Sequence, residues 1–305
     1  MDSPTRAAGP RIGVIGVGRW GKSLMRVFAE RADVTLACSR SNPANVKWLS
    51  DNHPGVRHTF DTNEVMADPA IDAVVIATTV ESHAALVLSA LEVGKHVFVE
   101  KPLSMNEEEC QRISRAADDR SRVLFVGYVY LYNPVFGRLQ SLLADDPPVT
   151  VACSWRKFGT FDEGIVPSLA SHEIAIACTL FGERPNSVEV HESRGIETAC
   201  DILNATLSFE GGRRSTLDID RHSDETAKSV TITAASGSVY VWEGDRLWQR
   251  EPRQLELDVP GDEPLAVEVA SFLEAIRTGS KPLAGGGLSR QVAGAMELIV
   301  AGIRS

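Results

Sequence analysis

Residues 11–23, RIGVIGVGRWGKS, hold the pattern that decides the fold of this chain. A short apolar run over 11–15 leads directly into three glycines with the spacing G-x-G-x-x-G, and apolar residues at helical spacing follow. Between a strand and a helix, this spacing makes a tight turn and lets the backbone approach a pyrophosphate, whose charge the N–H groups at the helix start favour. The stretch therefore predicts a loop that holds a dinucleotide. Its predicted contacts are Gly16, Gly18, Arg19, Trp20 and Gly21.

The same stretch also fits a second phosphate-binding pattern. Read as G-x-x-x-x-G-K-S, with Lys22 and Ser23, it matches the phosphate loop of NTPases. Such an enzyme needs an apolar strand that ends in Asp to hold Mg²⁺, but the best candidate strand, at 74–77, runs into Thr78 and Thr79. The second strand ends about 20 residues beyond the loop, which fits the dinucleotide fold. We favour a dinucleotide and keep an NTPase as the least favoured alternative.

The periodicity of the chain predicts two domains. Over 1–126, strands and helices alternate, which is typical of a doubly wound parallel sheet with helices on both faces. From residue 127 apolar and polar residues alternate along strands, as over 203–209, and two amphipathic helices end the chain. The fold class is α/β: a Rossmann domain over 1–126, then an α+β domain over 127–305 with a largely antiparallel open sheet. We expect the second domain to bind substrate and form oligomers, and its last helices could pack back on the first.

Composition narrows the class of partner and the compartment. The 305 residues carry a formal net charge of −10, so we expect no nucleic-acid or membrane-surface partner. No apolar run approaches the ~18 residues of a membrane span, and the first ten residues lack the apolar stretch of a signal peptide. Five scattered cysteines form no C-x-x-C pair, so a cytoplasmic protein with reduced thiols is expected. The histidines lack metal-ligand spacing, and no metal is expected.

The choice of cofactor depends on the end of the second strand. An NAD site usually has Asp or Glu there, which binds the ribose 2′-OH, whereas this chain has Ser39 and Arg40. A guanidinium can pair with the oxygens of a 2′-phosphate. We therefore predict NADP(H), with NAD(H) as the alternative.

The tripeptide Glu100-Lys101-Pro102 ends the fifth predicted strand, and in this place it resembles the Gfo/Idh/MocA oxidoreductase family. Residues 127–136 resemble the family's segment that crosses into the second domain, and 168–174 its helix with a catalytic histidine. The resemblance covers nearly the whole chain. It implies an enzyme acting on sugars or sugar nucleotides, and a homodimer or homotetramer.

Two residues are predicted to be catalytic. Lys101 lies at the carboxyl edge of the parallel sheet, where open α/β sheets bind ligands, and its ammonium can stabilise negative charge on a substrate oxygen. Glu100 can orient it. His172 occupies, by resemblance, the position of the family's catalytic histidine, and a histidine can give or take a proton near neutral pH.

The chain departs from the family pattern one helical turn before this histidine. The family has Asp there, whereas this chain has Ser168, which cannot carry the charge that supports an imidazolium. Three possibilities stay open: His172 works with Lys101 alone, another group substitutes, or the chemistry is lost. The candidate substitutes are Tyr128, Tyr130, Tyr132 and Asp162.

The resemblance also implies further contacts. It places Thr78, Thr79 and His83, with Glu100, at the nicotinamide half of the cofactor. The remaining candidates contact substrate. Independently of the resemblance, Arg156 and Lys157 follow the predicted strand over 149–155, and they are either a clamp for an anionic group such as a sugar-nucleotide diphosphate or an ordinary solvated pair. The predicted substrate contacts are Tyr128, Asn133, Arg156 and Ser168.

The sequence thus predicts an NADP(H)-dependent oxidoreductase that transfers a hydride between nicotinamide and a sugar or sugar nucleotide at a CH–OH group, with keto-sugar reduction favoured. Two alternatives from other classes remain besides the NTPase. One is an NAD-dependent glycosidase that oxidises its sugar transiently. The other is a non-catalytic sensor that binds cofactor, which the serine at position 168 makes plausible.

Overall fold

The computed structural model describes residues 9–40, 42–157 and 163–304. Most of the predicted polar tail, residues 1–8, and the candidate Asp162 lie outside these ranges. The chain divides into two compact units. Unit 1 runs to Ser104, resumes over Glu108–Gly127 and adds Leu265–Gly287. Unit 2 comprises Met105–Glu107, Tyr128–Pro264 and the chain from Leu288 onward.

Unit 1 is built on a six-stranded parallel sheet. Its strands are β1 (Arg11–Ile15), β2 (Asp33–Cys38), β3 (Arg57–Thr59), β4 (Ala73–Ile76), β5 (His96–Glu100) and β6 (Leu124–Gly127). The strand order is β3-β2-β1-β4-β5-β6. This is the strand order of dinucleotide-binding Rossmann domains. The order in which strands are added reverses between β1 and β4, and a crevice opens at the carboxyl ends of these two strands. The predicted doubly wound parallel sheet is confirmed.

Helices cover this sheet. They are α1 (Arg19–Arg31), α2 (Pro43–Asn52), α3 (Thr62–Ala67), α4 (Val80–Glu92), α5 (Glu107–Asp119) and, from the end of the chain, α8 (Pro264–Thr278). Phe272 of α8 packs edge-on against Phe98 and Phe125, with ring centroids 5.6 and 5.7 Å apart. Edge-on aromatic pairs add about 0.5–1.5 kcal/mol to area burial, so these contacts hold α8 in the core of unit 1.

Unit 2 is built on an eight-stranded sheet. Its strands are β7 (Pro148–Arg156), β8 (Ser187–Arg194), β9 (Ile202–Ser208), β10 (Arg214–Asp220), β11 (Ala227–Ala234), β12 (Val239–Glu243), β13 (Arg246–Glu251) and β14 (Leu255–Leu257). They lie in the order β14-β13-β12-β11-β7-β10-β9-β8, and among the described strands of this sheet only β7 and β10 pair in parallel. The predicted largely antiparallel sheet is confirmed.

Three helices accompany this sheet: α6 (Pro134–Leu143), α7 (Ser171–Phe181) and α9 (Gly286–Arg304). Helix α7 continues a π-helical turn over Val166–Ala170 and ends at Gly182, whose φ of 73° favours glycine. Its residues 171–178 are all buried, so any polar group among them lies in the interior. This helix therefore carries His172 and Glu173 into the interior of unit 2.

The five cysteines are all free and buried. Burial raises the pKa of several of these thiols, and that of Cys178 to about 12. Because the thiolate is the reactive form, a raised pKa makes these thiols less reactive in the folded state.

In the described part of the chain, none of the helices combines the length and the apolar character needed to cross a membrane.

Candidate functional site

The glycine loop of unit 1 has the geometry that its spacing predicts. Gly16 has a φ of 98°, and a Cβ there would lie 2.3 Å from the Ala77 carbonyl oxygen. A Cβ on Gly21 would lie 2.0 Å from the Gly16 carbonyl oxygen, so α1 can pack on the loop only through glycine. A Cβ on Gly18, in contrast, would meet none of the described atoms within 4 Å. Two glycines thus close the turn, and the third faces open space.

A cavity of 430 Å³, here called the glycine cavity, opens beside this loop. Ser39 and Arg40 line it at the end of β2, and Thr78 lines it after β4. No carboxylate belongs to its described lining, which also includes Ile15, Gly16, Val17, Gly18, Cys38, Asn42, Asn45, Thr62, Ser82, Ala85 and Leu86.

The residues of this cavity fit a dinucleotide. Helix α1 begins at Arg19 with no acidic residue in its first turn, and no described side chain caps it at Gly18. Its first N–H groups can therefore donate hydrogen bonds to the oxygens of a pyrophosphate, which the open face at Gly18 allows to approach. The nearby Asp61 is already engaged, because its carboxylate accepts the Asn63 N–H at 2.9 Å. Lys22 lies over the Trp48 ring, 5.3 Å from the centroid.

Trp20 and Glu100 are joined inside unit 1. The Trp20 indole N–H donates a hydrogen bond to the Glu100 carboxylate. Glu100 is buried, and a Cβ on Gly127 would lie 2.8 Å from its Oε1, so the carboxylate needs glycine beside it. The tryptophan predicted as a cofactor contact therefore fastens the glycine loop to the strand end that carries Lys101. The peptide between Lys101 and Pro102 is cis.

A second carboxyl group is buried near Glu100. Glu268 on α8 is 0% exposed, and its carboxyl oxygens have no hydrogen-bond partner in the described chain. Burial, together with the negative charge of Glu100, raises the pKa of Glu268 well above its usual range. The protonated form of Glu268 is thereby favoured at neutral pH.

His83 lies beneath the strand ends of unit 1. It is 1% exposed, and its Nδ1 and Nε2 face the carbonyl oxygens of Pro102 and Thr78 at 2.8 and 3.1 Å. Thr78 also accepts a hydrogen bond from Ser82 at 2.7 Å, and Thr79 is the N-cap residue of α4. The histidine predicted beside nicotinamide thus links the segments that present Thr78 and Lys101.

In unit 2, three rings surround one lysine. The ring cluster is defined as Tyr130, Trp155, His172 and Lys228, together with the buried carboxyl of Glu173, whose charge acts on Lys228. The Lys228 ammonium lies 3.9 Å from the Tyr130 ring centroid and 4.7 Å from that of Trp155. The His172 ring meets Tyr130 edge-on, with centroids 4.7 Å apart at 87°, and lies 5.8 Å from Trp155. The predicted catalytic histidine is therefore packed among aromatic rings beside a cation.

The charges of the ring cluster are shifted by burial. Burial lowers the pKa of Lys228 to about 8, although the charge of Glu173 opposes this. Glu173 on α7 is 0% exposed, and its carboxyl oxygens have no hydrogen-bond partner in the described chain. Burial and the charge of Asp218 raise its pKa well above the usual range, while Lys228 acts in the opposite direction. The ring cluster thus combines Lys228, whose pKa is lowered, with Glu173, whose pKa is raised.

Ser168 is engaged by two neighbours in the π-helical turn. Its hydroxyl donates to the Gly164 carbonyl at 2.7 Å and accepts from Arg221 Nη2 at 2.6 Å. The buried guanidinium of Arg221 lies 3.7 Å from Asp201, which is itself buried. Burial alone would raise the pKa of Asp201, but hydrogen bonds from Thr198 and neighbouring backbone N–H groups hold it well below its usual value. The Arg221 guanidinium therefore contacts Ser168, one helical turn before His172.

The structure gives the other predicted substrate contacts local partners in unit 2. Tyr128 is 1% exposed and belongs to the core. The Asn133 side chain caps α6 by accepting the Val135 N–H at 2.8 Å. Arg156 binds Asp218 through Nε and Nη2, at 3.0 and 2.7 Å. Burial in the core accounts for Tyr128, and these hydrogen bonds account for Asn133 and Arg156.

Sequence reasoning missed Lys228, Glu173, Trp155 and Arg221. One signal for the lysine was present: Lys228 stands two residues before the buried Val230, so it shares the inward register of β11. The strand pattern thus places a lysine in an apolar row. In the described ranges, no group of three or more His, Cys, Asp or Glu residues is placed to hold a metal ion.

Comparison with protein families gives two matches. A family described as "Oxidoreductase family, NAD-binding Rossmann fold" matches residues 10–128, and a "GFO/IDH/MocA C-terminal domain" matches residues 138–240.

Individual proteins agree with these matches. Inositol 2-dehydrogenase of Rhizobium meliloti (strain 1021) is 26% identical over 310 residues, which cover 89% of this chain and 90% of that protein. The structure of UDP-N-acetylglucosamine 3-dehydrogenase from Acidithiobacillus ferrooxidans is similar with a TM-score of 0.88 and 21% identity, over 97% of this chain and 99% of that one. Levoglucosan dehydrogenase in complex with NADH has a TM-score of 0.84 and 20% identity, with 97% of each chain covered.

Proposed function

Because this chain belongs to the Gfo/Idh/MocA family of oxidoreductases, we propose that it transfers a hydride between NADP(H) and a CH–OH carbon of a sugar or sugar nucleotide, with reduction of a keto-sugar as the favoured direction. Family membership confirms the resemblance drawn from the motifs. It also confirms the predicted enzyme class, an oxidoreductase with an NAD-binding Rossmann domain.

The glycine cavity is the observation that carries the choice of NADP(H). Arg40 offers a guanidinium and Ser39 a hydroxyl where a carboxylate would serve the 2′-OH of NAD. A carboxylate there would repel a 2′-phosphate, whereas a guanidinium attracts it. NAD(H) is the alternative, since one structural relative is a complex with NADH.

The names of the relatives support the substrate class. They are dehydrogenases of inositol, of UDP-N-acetylglucosamine and of levoglucosan. All three compounds are rings that carry several hydroxyl groups, or contain such a ring. We assign the same chemical class to the substrate of this chain.

In the proposed mechanism, two side chains handle the substrate oxygen. A bound nicotinamide supplies or accepts the hydride. The Lys101 ammonium donates a hydrogen bond to the substrate oxygen and stabilises the negative charge that develops there during reduction. His172 gives a proton to this oxygen in reduction and takes it in oxidation. Glu100, held by Trp20, fixes the strand end from which Lys101 extends.

The test is turnover of purified protein with NADPH or NADH and a panel of keto-sugars, inositols and sugar nucleotides, followed at 340 nm. We expect NADPH oxidation with a keto-sugar. Lys101→Met and His172→Gln should each lower kcat by about 10²-fold or more, because each removes a group that acts on the transferring charge. The Kd of NADPH should stay within about twofold in both variants, since neither residue belongs to the glycine cavity.

Other outcomes would support the alternatives. Cleavage of glycosides without net cofactor turnover would establish the NAD-dependent glycosidase. Cofactor binding without turnover, with full biological activity of both variants, would establish the sensor. Hydrolysis of ATP or GTP that is lost in Lys22→Ala would establish the NTPase. The homodimer or homotetramer stays a prediction, which sedimentation equilibrium would test.

A further inference from the structure

Lys228 occupies a position where the fold otherwise places apolar side chains. It pairs with Trp155 across β11 and β7, and the next inward positions of β11, Val230 and Ile232, are buried. Moving an ammonium away from water costs free energy, which is recovered only through specific partners. The partners of this ammonium therefore define its role.

Those partners are aromatic on two sides. The ammonium hydrogen-bonds to the Tyr130 hydroxyl and lies over the faces of Tyr130 and Trp155. Cation–π attraction is strongest for an ammonium that is removed from water. Glu173 faces the same ammonium from α7 as a buried carboxyl. Lys228 thus restrains the position of the Tyr130 ring through both the ring face and the hydroxyl.

The same tyrosine ring contacts His172. It meets the imidazole edge-on, 4.7 Å between centroids. Ser168 does not give its hydroxyl proton to this imidazole, because that proton goes to the Gly164 carbonyl. The Tyr130 and Trp155 rings both restrict the orientation of the imidazole, and Tyr130 is the nearer of the two.

We propose that Lys228 is a positioning residue for His172 and acts through Tyr130. The proposal rests on the proposed function, in which His172 transfers the proton. Lys228 holds the Tyr130 hydroxyl and ring, and the ring fixes the plane in which the imidazole meets the substrate oxygen. This contact restrains the imidazole in a chain that has serine, rather than a carboxylate, at position 168.

The kinetic test is a double-mutant cycle. Lys228→Met keeps the length of the side chain but removes its charge and donor, and Tyr130→Phe keeps the ring but removes the acceptor. Each should lower kcat by about 10-fold, with KM and the Kd of NADPH within about twofold. The double variant should resemble the more damaged single variant, because both break one coupled unit. Lys228→Arg, which keeps charge and donor, should recover most of kcat.

Lys47→Met is the matched control. Lys47 is an exposed lysine of α2 that pairs with Asp51. We expect the kcat of Lys47→Met to equal that of the wild type. A kcat of Lys228→Met within twofold of wild type would overturn the proposal. So would losses in Lys228→Met and Tyr130→Phe that multiply fully in the double variant, since the lysine would then act independently of the tyrosine.

A ligand-free readout separates this proposal from the proposed function. In protein labelled with ¹³C-histidine, the His172 ring resonance is assigned with His172→Gln. Its chemical shift reports the ring current of Tyr130. We expect Lys228→Met to move this resonance and Lys228→Arg to restore it, even if no tested substrate is turned over. An unmoved resonance in folded Lys228→Met would overturn the proposal, whereas a moved resonance without turnover would count only against the proposed function.

Discussion

The glycine cavity of unit 1 and the ring cluster of unit 2 are built in opposite ways. In the cavity, backbone geometry dominates: Gly16 and Gly21 admit no side chain, and Gly18 leaves its face open. In the ring cluster, side chains from separate elements meet, and Lys228 and Glu173 bury charge-bearing groups. A site made of backbone is fixed by local sequence, whereas a site made of side chains depends on tertiary packing. The two should therefore respond differently to substitution.

The largest expected effect separates two glycines of the same loop. Gly16→Ala should destabilise unit 1 by about 3 kcal/mol or more, because its φ of 98° and the 2.3 Å approach to Ala77 leave no place for a Cβ. Gly18→Ala should leave the unfolding midpoint nearly unchanged, yet weaken NADPH binding by about 10-fold or more, since its Cβ would occupy the open face. Thermal unfolding and fluorescence titration measure the two effects.

Gly137→Ala in α6 is the control for this pair, because a Cβ there also meets none of the described atoms within 4 Å. It should raise stability by about 0.5–1 kcal/mol, because alanine is favoured over glycine inside a helix, and should leave NADPH affinity unchanged. Equal NADPH affinity of wild type and Gly18→Ala would show that the pyrophosphate does not lie on this loop.

Arg40 is the single charged side chain among the described residues that line the glycine cavity. Its replacement should have a smaller effect on NADPH binding. Arg40→Ser should raise the Kd of NADPH by about 10-fold, because a charge-assisted pair to the 2′-phosphate contributes about 1.5–3 kcal/mol. The Kd of NADH should stay within twofold. Tighter binding of NADH than of NADPH by the wild type would refute the assignment and return NAD(H) as the cofactor.

The smallest effect compares the buried carboxyl groups of the two units. Glu268 has a raised pKa in the folded state, so its contribution to stability is complete below the pKa of the unfolded chain and is lost as pH rises. Glutamine does not titrate. Glu268→Gln should therefore stabilise the protein by about 1 kcal/mol or more at pH 8, and this gain should shrink toward pH 4.5.

Glu173→Gln should stabilise the protein at pH 8 by less than Glu268→Gln does. A neighbouring carboxylate opposes ionisation of each group, Asp218 for Glu173 and Glu100 for Glu268, but Glu173 also has Lys228, which favours its ionised form. Thermal unfolding from pH 4.5 to 8 tests both variants. Equal gains for the two, or a gain for Glu268→Gln that does not depend on pH, would contradict this electrostatic account.

The same contrast explains what the sequence could predict. The parallel sheet is confirmed because strand–helix alternation encodes it locally, and the tight turn at Gly16 and Gly21 follows from the glycine spacing in the same way. The partners of Trp20 and His83 were not predictable in this way, because each bonds to groups distant in sequence. The inward register of Lys228 is visible in the strand pattern. Its aromatic neighbours are not, because the pairing of β11 with β7 is not a local property.

The buried thiols allow the local opening of each unit to be measured separately. Cys38 and Cys110 belong to unit 1, and Cys153, Cys178 and Cys200 belong to unit 2. Because all five are inaccessible in the native fold, an alkylating reagent labels each one only when its surroundings open. Peptide mapping after timed alkylation would then resolve the local opening rates of the two halves without any engineered probe. Cys38 lies in the lining of the glycine cavity, so its protection would in addition report whether the cavity is occupied.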